Sequence, residues 1–120
     1  MMKEILLVGA GSFAGGVLRY LVSLMIKWSG SGFPWATFTV NILGCLLIGL
    51  LWGWGSRSLS PQLVLLLSVG LCGGFTTFST FSKESLMLLQ GGSWLMFALY
   101  VGGSIALGIG ATAIGWQITK

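Results

Sequence analysis

Apolar residues fill four long stretches of the chain, at about residues 4–27, 33–54, 61–89 and 93–119. Three short polar stretches separate them: Lys27-Trp28-Ser29-Gly30-Ser31-Gly32, Gly55-Ser56-Arg57-Ser58-Leu59-Ser60 and Gln90-Gly91-Gly92-Ser93. Each apolar stretch is long enough to cross the roughly 30 Å hydrocarbon layer of a bilayer as a helix. The pattern predicts an all-α integral membrane protein with four transmembrane helices, in a single membrane domain over residues 1–120. Small residues recur along the helices: Gly11 and Gly15, then Gly44, Gly49 and Gly53, then Gly103, Gly108 and Gly115. Such faces let helix backbones approach closely, which matters where lipid provides no hydrophobic drive for association. A lysine ahead of an apolar run also suits a signal peptide. The length of the first run, Arg19 inside it and the three runs that follow favour a span instead.

The third stretch departs from a simple span. Its centre reads Gly70-Leu71-Cys72-Gly73-Gly74-Phe75-Thr76-Thr77-Phe78-Ser79-Thr80-Phe81-Ser82. Glycine weakens a helix, and clustered hydroxyls compete for its backbone bonds. A freed carbonyl in hydrocarbon is costly unless protein, water or an ion satisfies it. A helix broken near residues 73–77 is therefore expected, with carbonyl oxygens free at one level and hydroxyls and phenylalanines just beyond. Membrane proteins build ion sites in this way.

Composition narrows the chemistry. The chain of 120 residues is 55% hydrophobic and 7% charged, too few charges to solvate a globular surface. Its net charge of +4 comes from scattered basic residues with no run or stripe, which argues against nucleic acid as a partner. There is no histidine, so imidazole metal ligands and the usual general base are missing, and an enzyme is not expected. Cys45 and Cys72 both lie in apolar stretches and read as small packed residues.

Polar residues within the spans are the candidates for function. Arg19 either snorkels to the interface or lines a wet cavity and draws anions. Asn41 offers two donors and an acceptor, and serves either as glue between helices or as a donor on an anion path. Phe75, Phe78 and Phe81 follow at three-residue steps, with Thr76 and Thr80 alongside. Ring packing between helices is the plain reading of that stripe, though the interleaved hydroxyls exceed what packing needs. Ser104 lies one turn beyond Tyr100 on the same face. The acidic residues are Glu4 and Glu84 alone, both near the ends of apolar stretches, so no carboxylate waits at a helix centre for a cation. Amide and hydroxyl donors and the positive edges of aromatic rings can hold a small anion moderately, as conduction requires.

Four spans put both termini on one side. Lys3, Arg57 and Lys120 share that side, against Lys27 and Lys83 on the other. This weak bias allows insertion in both orientations, and two copies could then pair antiparallel as an inverted repeat made from two chains.

The chain resembles the small fluoride channel family (Fluc, also called CrcB) over nearly its whole length. The likeness rests on Gly15-Gly16-Val17-Leu18-Arg19-Tyr20, on Thr37-Phe38-Thr39-Val40-Asn41-Ile42-Leu43-Gly44, and above all on Gly73-Gly74-Phe75-Thr76-Thr77-Phe78-Ser79-Thr80-Phe81-Ser82. The resemblance implies an antiparallel dual-topology homodimer with two pores, multi-pass in the bacterial cytoplasmic (inner) membrane. These pores admit fluoride, reject chloride and let fluoride leave the cytoplasm passively. It implies ring-edge contacts at Phe78 and Phe81, a pore-lining amide at Asn41, and Arg19 at an aqueous vestibule. It places Thr37, Ser79, Thr80, Tyr100 and Ser104 along the fluoride route. It also implies a structural Na⁺ on the two-fold axis, held by the backbone carbonyls of Gly73 and Thr76. Some members carry a second hydroxyl one turn after Ser104; here that position is Gly108, with Thr112 as the substitute. Competing readings are a four-helix multidrug or cation exporter, which lacks its carboxylate here, and a non-transporting membrane subunit that docks through its glycine faces.

Overall fold

The computed structural model describes residues 1–120 and is helical throughout. Helix α1 is Met2–Met25 and α2 is Trp35–Gly55. Helix α3 covers residues 61–75, α4 is Phe78–Gln90 and α5 is Trp94–Thr119. Together α3 and α4 form one span, so four spans are long and apolar enough to cross a membrane.

Local chemistry fixes the ends. Helix α2 starts two residues later than the apolar pattern suggests, because Pro34 caps it and disfavours helical backbone at Phe33. The Phe33 ring packs instead on Trp35 and Phe38, with centroids 4.4 and 5.0 Å away. Ser60 caps α3 by accepting from Leu63 N–H at 3.2 Å, and Pro61 occupies the first turn. Gly92, at φ +76°, turns the chain between α4 and α5.

The spans pack as two parallel pairs. Residue numbers in contact rise together along both helices of each pair. In the first, Gly11 of α1 meets Gly70 of α3, and Gly15 meets the backbone from Leu71 to Phe75. A Cβ on Gly74 would lie 2.5 Å from the Ser12 carbonyl oxygen, so only hydrogen fits there. In the second pair, Gly49 of α2 meets Thr112 of α5, Gly53 meets Thr119, and Gly115 meets Leu46, Gly49 and Leu50. Thr112 Oγ1 donates to the Cys45 carbonyl at 3.0 Å and Thr119 Oγ1 to the Leu50 carbonyl at 2.9 Å, tying the two helices directly. The buried core is accordingly small: Val40, Leu51, Cys72, Leu88 and Tyr100 are its hydrophobic members. Phe13, Leu95, Ile109, Ile118 and many like them face outward, as suits a surface solvated by lipid.

Helix α3 carries a feature the apolar pattern does not foretell. Leu65–Cys72 is wound as a π-helix between α-helical ends. This wider turn seats Gly70 against Gly11 and buries Cys72. The expected break follows at once. Thr76 (φ −87°, ψ 159°) and Thr77 (φ −150°, ψ 124°) are extended, and the helix restarts at Phe78.

Candidate ion pathway

The break is held open by side chains from two other spans. Asn41 of α2 clasps the Thr77 backbone on both sides: its Nδ2 donates to the Thr77 carbonyl at 3.0 Å, and its Oδ1 accepts from Thr77 N–H at 2.8 Å. In an α-helix that N–H would close on the Gly73 carbonyl. The Asn41 amide thus takes the donor away from Gly73. Arg19 of α1 donates through Nε to the Gly74 carbonyl at 3.2 Å. Thr77 Oγ1 caps the restart by accepting from Thr80 N–H at 3.2 Å. Thr76 spends its own N–H and hydroxyl on the Cys72 carbonyl, at 3.0 and 2.8 Å, while its carbonyl receives no hydrogen bond. Sequence reasoning left Asn41 between glue and donor. It acts as glue with one Nδ2 hydrogen uncommitted, and it faces a groove.

That groove is the larger of two cavities that meet at the break. It measures about 460 Å³ and opens on one flank of the protein. Asn41, Phe78, Phe81, Ser104, Gly73 and Thr76 all line it, together with Cys45, Ser68 and Cys72. The Phe78 and Phe81 rings are 5.8 Å apart between centroids. Phe78 is 78% exposed, whereas Phe81 leans on Tyr100 with ring centroids 5.0 Å apart. Ser104 Oγ is buried with no hydrogen-bond partner.

The smaller cavity, about 210 Å³, gathers Arg19, Thr37 and Thr80, with Ser23, Trp28 and Glu84. Thr77 lines both cavities. Tyr100 lines neither cavity: its ring is fully buried beside Phe81 of the groove, and its hydroxyl donates to Glu84 Oε1 of the smaller cavity at 2.8 Å. The candidate residues that line a cavity therefore fall into two groups, which meet at Thr77. Ser79 belongs to neither; it is exposed, with its hydroxyl 3.3 Å from that of Thr77. Thr112 is not the substitute hydroxyl expected after Ser104, because its proton is spent on the Cys45 and Gly108 carbonyls.

Glu84 is the residue that sequence reasoning left out. It sits one turn after Thr80, facing the polar cavity, and its partner is a tyrosine rather than the adjacent Lys83. The signal was its isolation: apart from Glu4 it is the chain's sole acid.

A family profile described as "CrcB-like protein, Camphor Resistance (CrcB)" matches residues 6–116. A protein of Chlorobaculum tepidum named fluoride-specific ion channel FluC is 50% identical, the match covering all of this chain and 97% of that protein. A protein of the same name from Phocaeicola vulgatus is 50% identical over 95% of this chain and 96% of its own. Another, from Flavobacterium psychrophilum, is 48% identical over 99% and 98%.

Proposed function

Because this chain belongs to the CrcB family, we propose that it is a fluoride-selective ion channel. It lets fluoride leave the cytoplasm passively and so protects the cell from fluoride that enters as neutral HF. The observation that carries the reading is end-to-end similarity, at about half identity, to proteins named as fluoride-specific channels. The two cavities and the broken span are compatible with it. A channel of this kind makes and breaks no covalent bond, so the protein is a transporter and not an enzyme.

The route runs from one cavity to the other. Arg19 raises the local anion concentration at the polar cavity, where Thr37 and Thr80 offer hydroxyls. Tyr100 links this cavity to the groove. There the free Nδ2 hydrogen of Asn41, the ring edges of Phe78 and Phe81 and the unspent hydroxyl of Ser104 replace water around the ion. None of these groove donors carries a full charge, so the ion is held moderately and can leave. Ser79 enters the route only where a second protomer faces it.

The working unit is an antiparallel dual-topology homodimer with two pores in the bacterial cytoplasmic membrane. Supporting this, the groove is open on one flank, Phe78 is largely exposed in its own protomer, and basic residues divide weakly between the two sides. A sodium ion fits the break. The Thr76 carbonyl accepts no bond, the Gly73 carbonyl has lost its helical donor, and a Cβ on Gly73 would meet nothing within 4 Å. Carbonyl oxygens suit a hard cation, and two from each protomer make four ligands. Bound there, such an ion would supply the positive charge that offsets the unpaired carbonyl oxygens of Gly73 and Thr76.

Purified protein in liposomes tests the function. With a potassium ionophore balancing charge, vesicles loaded with fluoride should discharge it and hold chloride. Vesicles that retain fluoride would remove the channel reading.

A further inference from the structure

The groove that Ser104 lines also contains a thiol, at Cys45. Ser104 and Gly108 lie one turn apart on α5, hence on one face. Ser104 brings an unpartnered, buried hydroxyl to the groove; Gly108 brings no side chain. The space over Gly108 is not vacant. A Cβ built there would sit 3.3 Å from Cys45 Sγ, closer than ordinary van der Waals contact. Cys45 lines the same groove as Ser104, Asn41 and Phe81. Its position is fixed from the same helix, because its carbonyl accepts the Thr112 hydroxyl at 3.0 Å. Both cysteines are free, so the sulfur is not held in a disulfide.

We propose that Cys45 is the pathway-lining residue that follows Ser104, its S–H serving as the anion-facing donor in the space left by Gly108. The proposal rests on the fluoride-channel reading. A thiol is a weak donor, in keeping with a step that must release its ion readily. The swap of a side chain on α5 for one on α2 explains why Gly108 and Cys45 occur together. Either residue with a larger neighbour would crowd the other.

Fluoride discharge from liposomes tests this with five proteins. Cys45→Ala should conduct about fivefold more slowly than wild type, the size of one lost hydrogen bond at about 1 kcal/mol. Cys45→Ser should be faster than Cys45→Ala, since a hydroxyl donates from the same place. The double variant Cys45→Ala/Gly108→Ser should also recover flux, because the new hydroxyl enters the space the sulfur vacated. Cys45→Val, which refills the same volume with no donor, should stay as slow as Cys45→Ala; recovery there would assign Cys45 to packing alone. Mercuric chloride provides an independent arm. Its neutral molecule reaches the thiol, a mercury–sulfur bond forms, one mercury–chlorine bond breaks, chloride leaves with its electron pair, and the thiol proton passes to water. Wild type and Cys72→Ala should be blocked, and Cys45→Ser should not. Undiminished flux in Cys45→Ala, failure of both rescues, or a mercury block that survives in Cys45→Ser would each overturn the role of Cys45 while wild type still conducts. A wild type that discharges no fluoride would instead overturn the channel reading, and this proposal with it.

Discussion

Replacing Asn41 with leucine removes both arms of the clasp on Thr77 while keeping the side chain's approximate volume. The two hydrogen bonds are short, at 3.0 and 2.8 Å, and each satisfies a backbone group that the broken helix cannot satisfy itself. Side-chain bonds between membrane helices contribute about 0.6 kcal/mol each on average. Leaving a buried backbone group unmet costs more, about 1–3 kcal/mol. Thr77 is half-buried, which puts each group at the low end of that range and the pair near 2 kcal/mol. Reversible unfolding of the detergent-solubilised protein by added SDS reads the difference as a shift in midpoint. Hydrogen exchange at the Thr77 amide reads it locally. Asn41→Asp separates the two arms: the carboxylate still accepts from Thr77 N–H but repels the Thr77 carbonyl, so amide protection should survive while stability falls. It also puts a negative charge on the proposed path and should depress fluoride flux. If Asn41→Leu unfolds at the wild-type midpoint and leaves Thr77 exchange unchanged, the clasp does not hold the break.

The number of spans, their approximate limits and the interruption of the third were legible because they follow from hydropathy, glycine and clustered hydroxyls, all local signals. The π-helical turn at Leu65–Cys72 was not, since nothing in that leucine-rich run distinguishes it from an α-helix. It answers to the tertiary need to bring Gly70 onto Gly11. Residue types named the candidates but could not sort them. Arg19, Thr37 and Thr80 lie in one cavity, and Asn41, Phe81 and Ser104 in another. That division arises from long-range pairing of α1 with α3 and of α2 with α5. The role of Asn41 needed the same information, because its partner is 36 residues away. Thr112 misled for a related reason: a hydroxyl one helical turn past Gly108 looks available until its neighbour on α2 is known to take the proton.

Phe78 is 78% exposed in the protomer, so Phe78→Ile should leave protomer stability unchanged and cut fluoride flux, whereas Phe81→Ile should also lower stability by about 1 kcal/mol through lost stacking on Tyr100. Full flux in either variant would count against the ring-edge contacts. Dialysing sodium out during purification should lower the dimer fraction seen by light scattering; indifference to sodium would argue against the ion at Gly73 and Thr76. Two adjacent glycines then separate fold from assembly. Gly74→Ala puts a methyl 2.5 Å from the Ser12 carbonyl oxygen and 2.9 Å from its Cα, both backbone atoms that move only if α1 moves. Overpacking of that kind costs about 1–3 kcal/mol, and the protomer itself should be destabilised. Gly73→Ala meets nothing within 4 Å inside the protomer, so its SDS unfolding midpoint should match wild type. The added methyl instead occupies the open face where the second copy and its ion are proposed to sit. A Gly73→Ala protein that remains dimeric in sodium, with wild-type flux, would place the two-fold contact somewhere other than the broken span.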